Sequence, residues 1–179
     1  MTNLSHSASF HAREWIAPSN RGAKHLKGSS QDDEIRTEGT GEDRLFGYGG
    51  DDHLSGNSGD NRIFGGTGSD EAYGNQGDDI LFGQRGADEI YGGYGNDTII
   101  GGCGDDIIDG GAGADTVIFS GDWDEYKISI DQQVFTISHV GGGREDRVDR
   151  IVNVEMFQFE DQVLEIHGGH LQPFDIDPL

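Results

Sequence analysis

Between residues 28 and 118 a single apolar position recurs every nine residues: Leu45, Leu54, Ile63, Ala72, Leu81, Ile90, Ile99, Ile108 and Val117, with Ile35 in a worn copy ahead of them. A period of nine with one obligatory apolar residue excludes an amphipathic helix, which places apolar residues three and four apart. It predicts a strand of three residues, polar-apolar-polar, whose middle side chain points to one side and its neighbours to the other. The six residues before each strand, as in GGYGNDTII at 92–100 and GGCGDDIID at 101–109, are rich in glycine and predict a turn. Strand, turn, strand, turn closes a coil from two copies, with each strand stacked on the one eighteen residues away. One copy buries almost nothing, so stability has to come from stacked neighbours. After Ile118 the period gives way to alternation in YKISI (126–130) and VFTIS (134–138), two ordinary strands joined by Asp131, Gln132 and Gln133. The segment 147–166 carries Val154, Met156, Phe157 and Phe159, which are expected to cover the apolar end of the stack.

A second column brings in chemistry. The sixth position of the copies reads Asp43, Asp52, Asn61, Asp70, Asp79, Asp88, Asp97, Asp106 and Asp115, with Asp33 in the worn copy. Turns of alternate copies fall into two columns, one on each side of the coil, and successive carboxylates in a column then sit one strand spacing apart, roughly 4.8 Å. Like charges that close repel, so a cation has to lie between them. Carboxylate and carbonyl oxygens without thiolate or imidazole suit calcium, which accepts six to eight oxygens in a flexible shell; magnesium demands a stricter octahedron and keeps its waters.

The repeats GGYGNDTII and GGCGDDIID resemble the nonapeptide of the hemolysin-type, repeats-in-toxin (RTX) calcium-binding proteins, and nine copies run in register from Glu38 to Ile118. The resemblance implies an all-β fold, a right-handed parallel β-roll (a solenoid) with a C-terminal β cap. It also implies that the sixth-position Asp and backbone carbonyls of the turns, among them those of Gly83, Gly92, Gly101 and Gly110, bind calcium between successive turns. One column then holds Asp43, Asn61, Asp79, Asp97 and Asp115, the other Asp52, Asp70, Asp88 and Asp106, extended by Asp33. Pairing neighbours gives about seven sites. Asn61 offers a neutral oxygen where the family has a charge, and Ala72 thins the core nearby, so the two sites flanking Asn61 are expected to be the weakest of their column.

Composition supports a metal-built fold. The chain has 179 residues, 31 of them glycine, and only 32% hydrophobic content, too little for an ordinary core. The formal net charge of −22 argues against nucleic acid or an anionic membrane as partner. An acidic, glycine-rich tract also fits a disordered linker, and that description suits the calcium-free chain, but strict register in two independent columns does not follow from it. The lone Cys103 has no partner for an internal disulfide. No stretch is long and apolar enough to span a bilayer, and the amino-terminal residues lack the apolar run of a Sec signal. The RTX resemblance implies type I secretion from an uncleaved carboxy-terminal signal, to which FDIDPL at the end is only loosely similar.

Two further features stand outside the repeat. HAREWIAP, 11–18, resembles the first zinc motif of the M14 metallocarboxypeptidases, which maps zinc ligands onto His11 and Glu14 and a substrate contact onto Arg13. A catalytic zinc needs three protein ligands, and the family's later His and catalytic Glu are missing, although His167 and His170 offer a makeshift third. At the ninth position one face carries Phe46, Phe64, Phe82, Ile100 and Ile118, the other Ser55, Tyr73, Tyr91 and Asp109. The first set is either a stiffening ladder, partly covered by the arm or cap, or a contact surface for another copy or a target. The expected organisation is an arm (1–27), the roll (28–118), capping strands (119–166) and a tail with a possible secretion signal (167–179). The expected function is that of a secreted, non-enzymatic calcium-binding module. A remnant of a zinc metallocarboxypeptidase fused to RTX repeats and an adhesion or carbohydrate-binding module are the alternatives.

Overall fold

The structure, a computed structural model, describes residues 13–17, 23–140, 148–167 and 170–173. Two nine-stranded sheets face each other across a core one side chain deep from each. One stacks Arg13–Ala17, Asp33–Thr37, His53–Ser55, Glu71–Gln76, Glu89–Tyr94 and Ile107–Ala112 in parallel. The other stacks His25–Lys27, Arg44–Gly49, Arg62–Thr67, Ile80–Arg85, Thr98–Cys103 and Thr116–Ile118. The chain alternates between them, so each sheet takes every second copy. This is the all-β parallel roll that the period of nine implied.

The eighth-position side chains are its core. Leu45, Ile63, Leu81, Ile99 and Val117 lie in direct register in one sheet, and Ile35, Leu54, Ala72, Ile90 and Ile108 in the other. All ten are at most 1% exposed. Ala72, too small to fill its place alone, is as closed to solvent as its neighbours. The strands are longer than the three residues expected: most run six, because the ladder resumes beyond the first glycine of the next copy, as at Tyr48↔Gly66 and Gly49↔Thr67. Backbone pairing needs no side chain, so an apolar pattern alone understates these strands. The fourth-position glycine is required by the close approach of coils. Gly86 has φ +132, and a Cβ there would collide with the Gly68 carbonyl of the coil before it.

The two ends are closed differently. At the amino end, His25–Lys27 and Arg13–Ala17 pair onto Arg44–Gly49 and Asp33–Thr37 as further parallel strands. At the carboxyl end Val148–Val152 and Met156–Gln158 continue the two sheets in parallel, placing Ile151 beside Ile108 and Phe157 beside Val117. The chain then turns antiparallel. Tyr126–Asp131 and Val134–His139 form a hairpin whose two central residues, Gln132 and Gln133, both take positive φ, the geometry of the tight turns that match strand twist. This hairpin flanks Val148–Val152 on one side, and Val163–His167 with His170–Pro173 flanks Met156–Gln158 on the other. Val154, Phe157 and Phe159 are buried with Phe119 and Phe135, while Met156 is only half-buried.

Candidate functional site

Each sixth-position residue stands where a turn enters its strand, and all ten, Asp33 and Asn61 included, are at most 3% exposed. The burial follows from the ladder. The residue is followed at once by a paired strand, so its side chain folds back beneath the turn of the neighbouring coil. One carboxylate oxygen, Oδ1, then accepts the backbone N–H of the sixth-position residue one coil earlier. Asp52 donates to Asp70 at 2.9 Å, Asp70 to Asp88 at 2.8 Å, Asp79 to Asp97 at 2.8 Å and Asp97 to Asp115 at 2.8 Å. Two unbroken columns of hydrogen bonds result.

The second oxygen is left over. Oδ2 of Asp52, Asp70, Asp79, Asp88, Asp97 and Asp115 is buried and accepts no hydrogen bond. It faces a small space beside the first glycine of its own turn. A Cβ built on Gly47, Gly65, Gly74, Gly83 or Gly92 would lie under 3.0 Å from the Oδ2 of Asp52, Asp70, Asp79, Asp88 or Asp97 respectively. The same Cβ would lie under 3.0 Å from a glycine carbonyl of the next coil, those of Gly65, Gly83, Gly92, Gly101 and Gly110 in turn. Glycine at the first position thus keeps open a cradle in which a carboxylate oxygen and a carbonyl oxygen converge with no hydrogen to share. A buried anion so placed is costly, and a hard divalent cation with oxygen preference is what would relieve it. Among the described residues no three His, Cys, Asp or Glu side chains form a metal-holding group, so an ion in the columns draws on backbone oxygens as well.

Electrostatics say the same. Burial pushes the carboxyls of Asp52 and Asp79 up to about 7. It raises those of Asp70, Asp88 and Asp97 to about 6. In each case the hydrogen bond from a backbone amide pulls the other way, and the next carboxylate in the column adds to the rise. Asp115 is also raised, by burial and then by the charge of Glu155. Without a counter-cation, these columns resist being charged at neutral pH.

The turn at 56–61 is built otherwise. The Asn57 side chain is buried, donates Nδ2 to Asp43 Oδ2 at 2.6 Å and accepts the Gly59 N–H at 2.7 Å. Asn61 accepts the Asp43 N–H at 3.2 Å and donates Nδ2 both to the Gly59 carbonyl, at 2.5 Å, and to Asp79 Oδ1, at 3.0 Å. The Asn61 amide nitrogen occupies the place beside Gly56 that a carboxylate oxygen takes in the other turns. Both junctions flanking Asn61 are therefore bridged by amide hydrogens. At the head of the other column, Asp33 has Oδ2 occupied by the N–H and hydroxyl of Ser29, at 2.6 and 2.8 Å, with Oδ1 buried and unbonded.

Two column members escaped the sequence reading. Asp106 donates its N–H to Asp149 at 3.0 Å and Asp115 donates to Glu155 at 2.8 Å, so the cap supplies the last carboxylate of each column. A signal was present: Asp149-Arg150-Ile151 and Glu155-Met156-Phe157 repeat the acidic-x-apolar triplet of the nonapeptide, off period and thus unseen by a count of nine. Two shallower columns at the fifth position, one on each side of the coil, were also missed. There the bonds run in the opposite sense, from Ser69 N–H to Asp51, Asp78 to Asp60, Asn96 to Asp78 and Ala114 to Asn96.

The remaining candidates lie elsewhere. His11 is outside the described residues, as is the Glu14 side chain. The strand that carries Glu14 is the outermost at the amino end, whereas His170 begins the outermost strand at the carboxyl end, so the roll separates the two. Cys103 is free and exposed. Phe46, Phe64 and Phe82 stack with ring centroids 4.9 and 4.8 Å apart, half-buried. Ile100 and Ile118, further along that stripe, line a cavity closed over by Tyr126, Ile137 and His139 of the hairpin. On the other face Tyr73 stacks on Tyr91 at 4.9 Å.

Parallel coils carrying a column of buried, half-bonded carboxylates on either side define a calcium-binding β-roll. The model of the RTX calcium-binding nonapeptide repeat matches residues 28–63, 39–72, 55–90, 73–107 and 82–117, together half of the chain, and the chain belongs to that family. No curated protein matches it. Among the described residues no helix is long and apolar enough to cross a membrane.

Proposed function

We propose that the chain is a secreted, non-enzymatic module whose roll, 28–118, orders when calcium enters the turn columns, with 119–166 as its cap. Five inter-coil cradles are fully equipped: those of Asp52, Asp70 and Asp88 in one column and of Asp79 and Asp97 in the other. The two flanking Asn61, which would bring the count to seven, are held by amides. The observation that supports this reading is the row of buried Oδ2 atoms, each facing a carbonyl across the space a glycine leaves open. Bound calcium supplies the positive charge that lets these carboxylates stay ionised while buried. The chain's own part is to fix one oxygen of each carboxylate with a backbone amide, aim the other into the cradle, and bring up the carbonyl from the next coil. Extracellular calcium, far richer than cytosolic, suits sites of this open, carbonyl-rich kind, which is why secretion belongs to the proposal. Circular dichroism with and without chelator, followed by a metal count on the folded form, tests it. Order appearing with about five bound calcium ions supports the reading; a chain equally folded after exhaustive chelation overturns it.

A further inference from the structure

We propose that the cap builds one more calcium site, at the carboxyl end of the column that holds Asp79, Asp97 and Asp115. The inference rests on the calcium roll just proposed, but its residues lie partly outside the repeat.

Asp115 is fully buried, and its Oδ2 has no hydrogen-bond partner. It belongs to the last turn of its column, so no further nonapeptide supplies the carbonyl that completes the cradle elsewhere. The Asn153 carbonyl takes that place. A Cβ on Gly110 would lie under 3.0 Å from both Asn153 O and Asp115 Oδ2, the same convergence found at Gly74 and Gly92. Asn153 holds this position with φ 52 and by donating its side-chain amide to Asp109 at 2.8 Å.

The backbone repeats the pattern of an ordinary junction. Thr116 N–H bonds the Asp97 carbonyl at 2.9 Å, and Met156 N–H bonds the Asp115 carbonyl at 3.0 Å, so Glu155 stands at the sixth position. Its Oε2 accepts the Asp115 N–H as an aspartate would. From carbonyl to carboxylate the cap needs two residues, 153 to 155, where a repeat uses five. The longer reach of Glu over Asp compensates for the shortened turn. The unbonded Asp115 Oδ2, the Asn153 carbonyl and the neighbouring Glu155 carboxylate, which accepts the Asp115 N–H, are the oxygen donors a hard divalent cation prefers, and the exposed side of Glu155 leaves room for the waters calcium retains. The corresponding end of the other column runs into 141–147, outside the described residues, so the inference is confined to this one.

The consequence is a cap tied to the roll by metal as well as by Phe157. Calcium stoichiometry of the full chain, by equilibrium dialysis, should be one higher for the parent than for Glu155→Gln, which keeps an oxygen to accept the Asp115 N–H but loses the charge. Asp97→Asn should weaken repeat sites and leave the cap site, whereas Asp115→Asn should weaken both. Anomalous diffraction from calcium-grown parent crystals gives a readout independent of any variant's folding. An ion peak between Asp115, Asn153 O and Glu155 supports the site. Peaks in the repeat cradles with none at this position, or an unchanged stoichiometry in E155Q, overturn it while leaving the calcium roll intact. A parent chain that binds no calcium anywhere overturns both.

Discussion

Turns 56–61 and 92–97 occupy the same column two coils apart, and they answer one difficulty in two ways. Both must close a buried gap between coils where backbone oxygens crowd together. At 92–97 the gap holds a carboxylate oxygen with nothing to bond, so the turn is incomplete until a cation arrives. At 56–61 two asparagine side chains supply hydrogens instead, so that Asp43 Oδ2, the Gly59 carbonyl and Asp79 Oδ1 are bonded within the protein. Under the proposed function the first arrangement acts as a switch and the second as a permanent clasp. The lesson is that a departure from the consensus residue need not be damage. Asn61 loses a charge but, together with Asn57, makes the amino-terminal part of this column self-sufficient.

Calcium removal should break the comparison most severely. Chelation should melt the coils around Asp79 to Asp115 and the facing column, seen as loss of sheet signal and a larger hydrodynamic radius. Hydrogen exchange should show the last residual protection around 43–61. Uniform exchange throughout the chelated chain would remove the distinction between switch and clasp.

Next in size is Asp97→Ala. Its carboxylate borders two cradles, so two calcium ions should be lost, each worth about 4 kcal/mol at a thousandfold excess of calcium over Kd. Asn57→Ala should cost less, about 1–3 kcal/mol from stranding the Asp43 carboxylate, with calcium stoichiometry unchanged. Denaturant titrations in saturating calcium separate the two. Equal effects would show that the asparagines do no particular job.

Asn61→Asp should convert clasp to switch. In chelator the variant should be less stable than the parent, by about 1–3 kcal/mol, since it adds a buried carboxylate to a column that already resists charge. In calcium it should gain affinity in that column, measured by calorimetry. A variant stabilised in chelator would contradict the electrostatic account.

A smaller effect is expected from pH. A carboxyl whose folded value is raised contributes stability below that value and loses it as pH rises. For Asp52 and Asp79, raised to about 7, and Asp70, Asp88 and Asp97, raised to about 6, the calcium-free roll should gain order as pH falls from neutrality towards 4. Calcium affinity should decline over the same window. Circular dichroism of the chelated chain between pH 8 and 4.5 checks the sign. Smallest of all should be Phe64→Ser with Phe82→Ser: the stack is half-buried, and sedimentation in saturating calcium will tell whether it also holds another copy. An unchanged mass would leave the stripe as a stiffening ladder.

The roll itself was legible because its two governing columns each depend on one residue per copy. An apolar side chain every nine residues can stack only on itself, and an acidic one every nine can line only a turn. What stayed hidden depended on backbone or on broken period. The six-residue strands arise from main-chain pairing through Gly-rich segments that carry no apolar signal. Asn57 looked like one more turn residue, since nothing in its spelling shows that its amide reaches Asp43. Asp149 and Glu155 stand in register only after the cap has folded 43 and 40 residues away from Asp106 and Asp115.

From Asp43 onward every sixth-position side chain is gripped by a backbone amide of the coil before it and grips none in the coil after, so the array has a direction, and its true module is the pair of copies. Lengthening the protein by eighteen residues within the uniform stretch should leave both ends untouched: the asparagine turn still opens one column, and Glu155 still closes it. Lengthening it by nine would exchange the sheets downstream of the insertion, so that an insertion between Tyr73 and Phe82 would set Phe82 on the tyrosine face of the coils before it. Such a protein can change its length only in whole circuits.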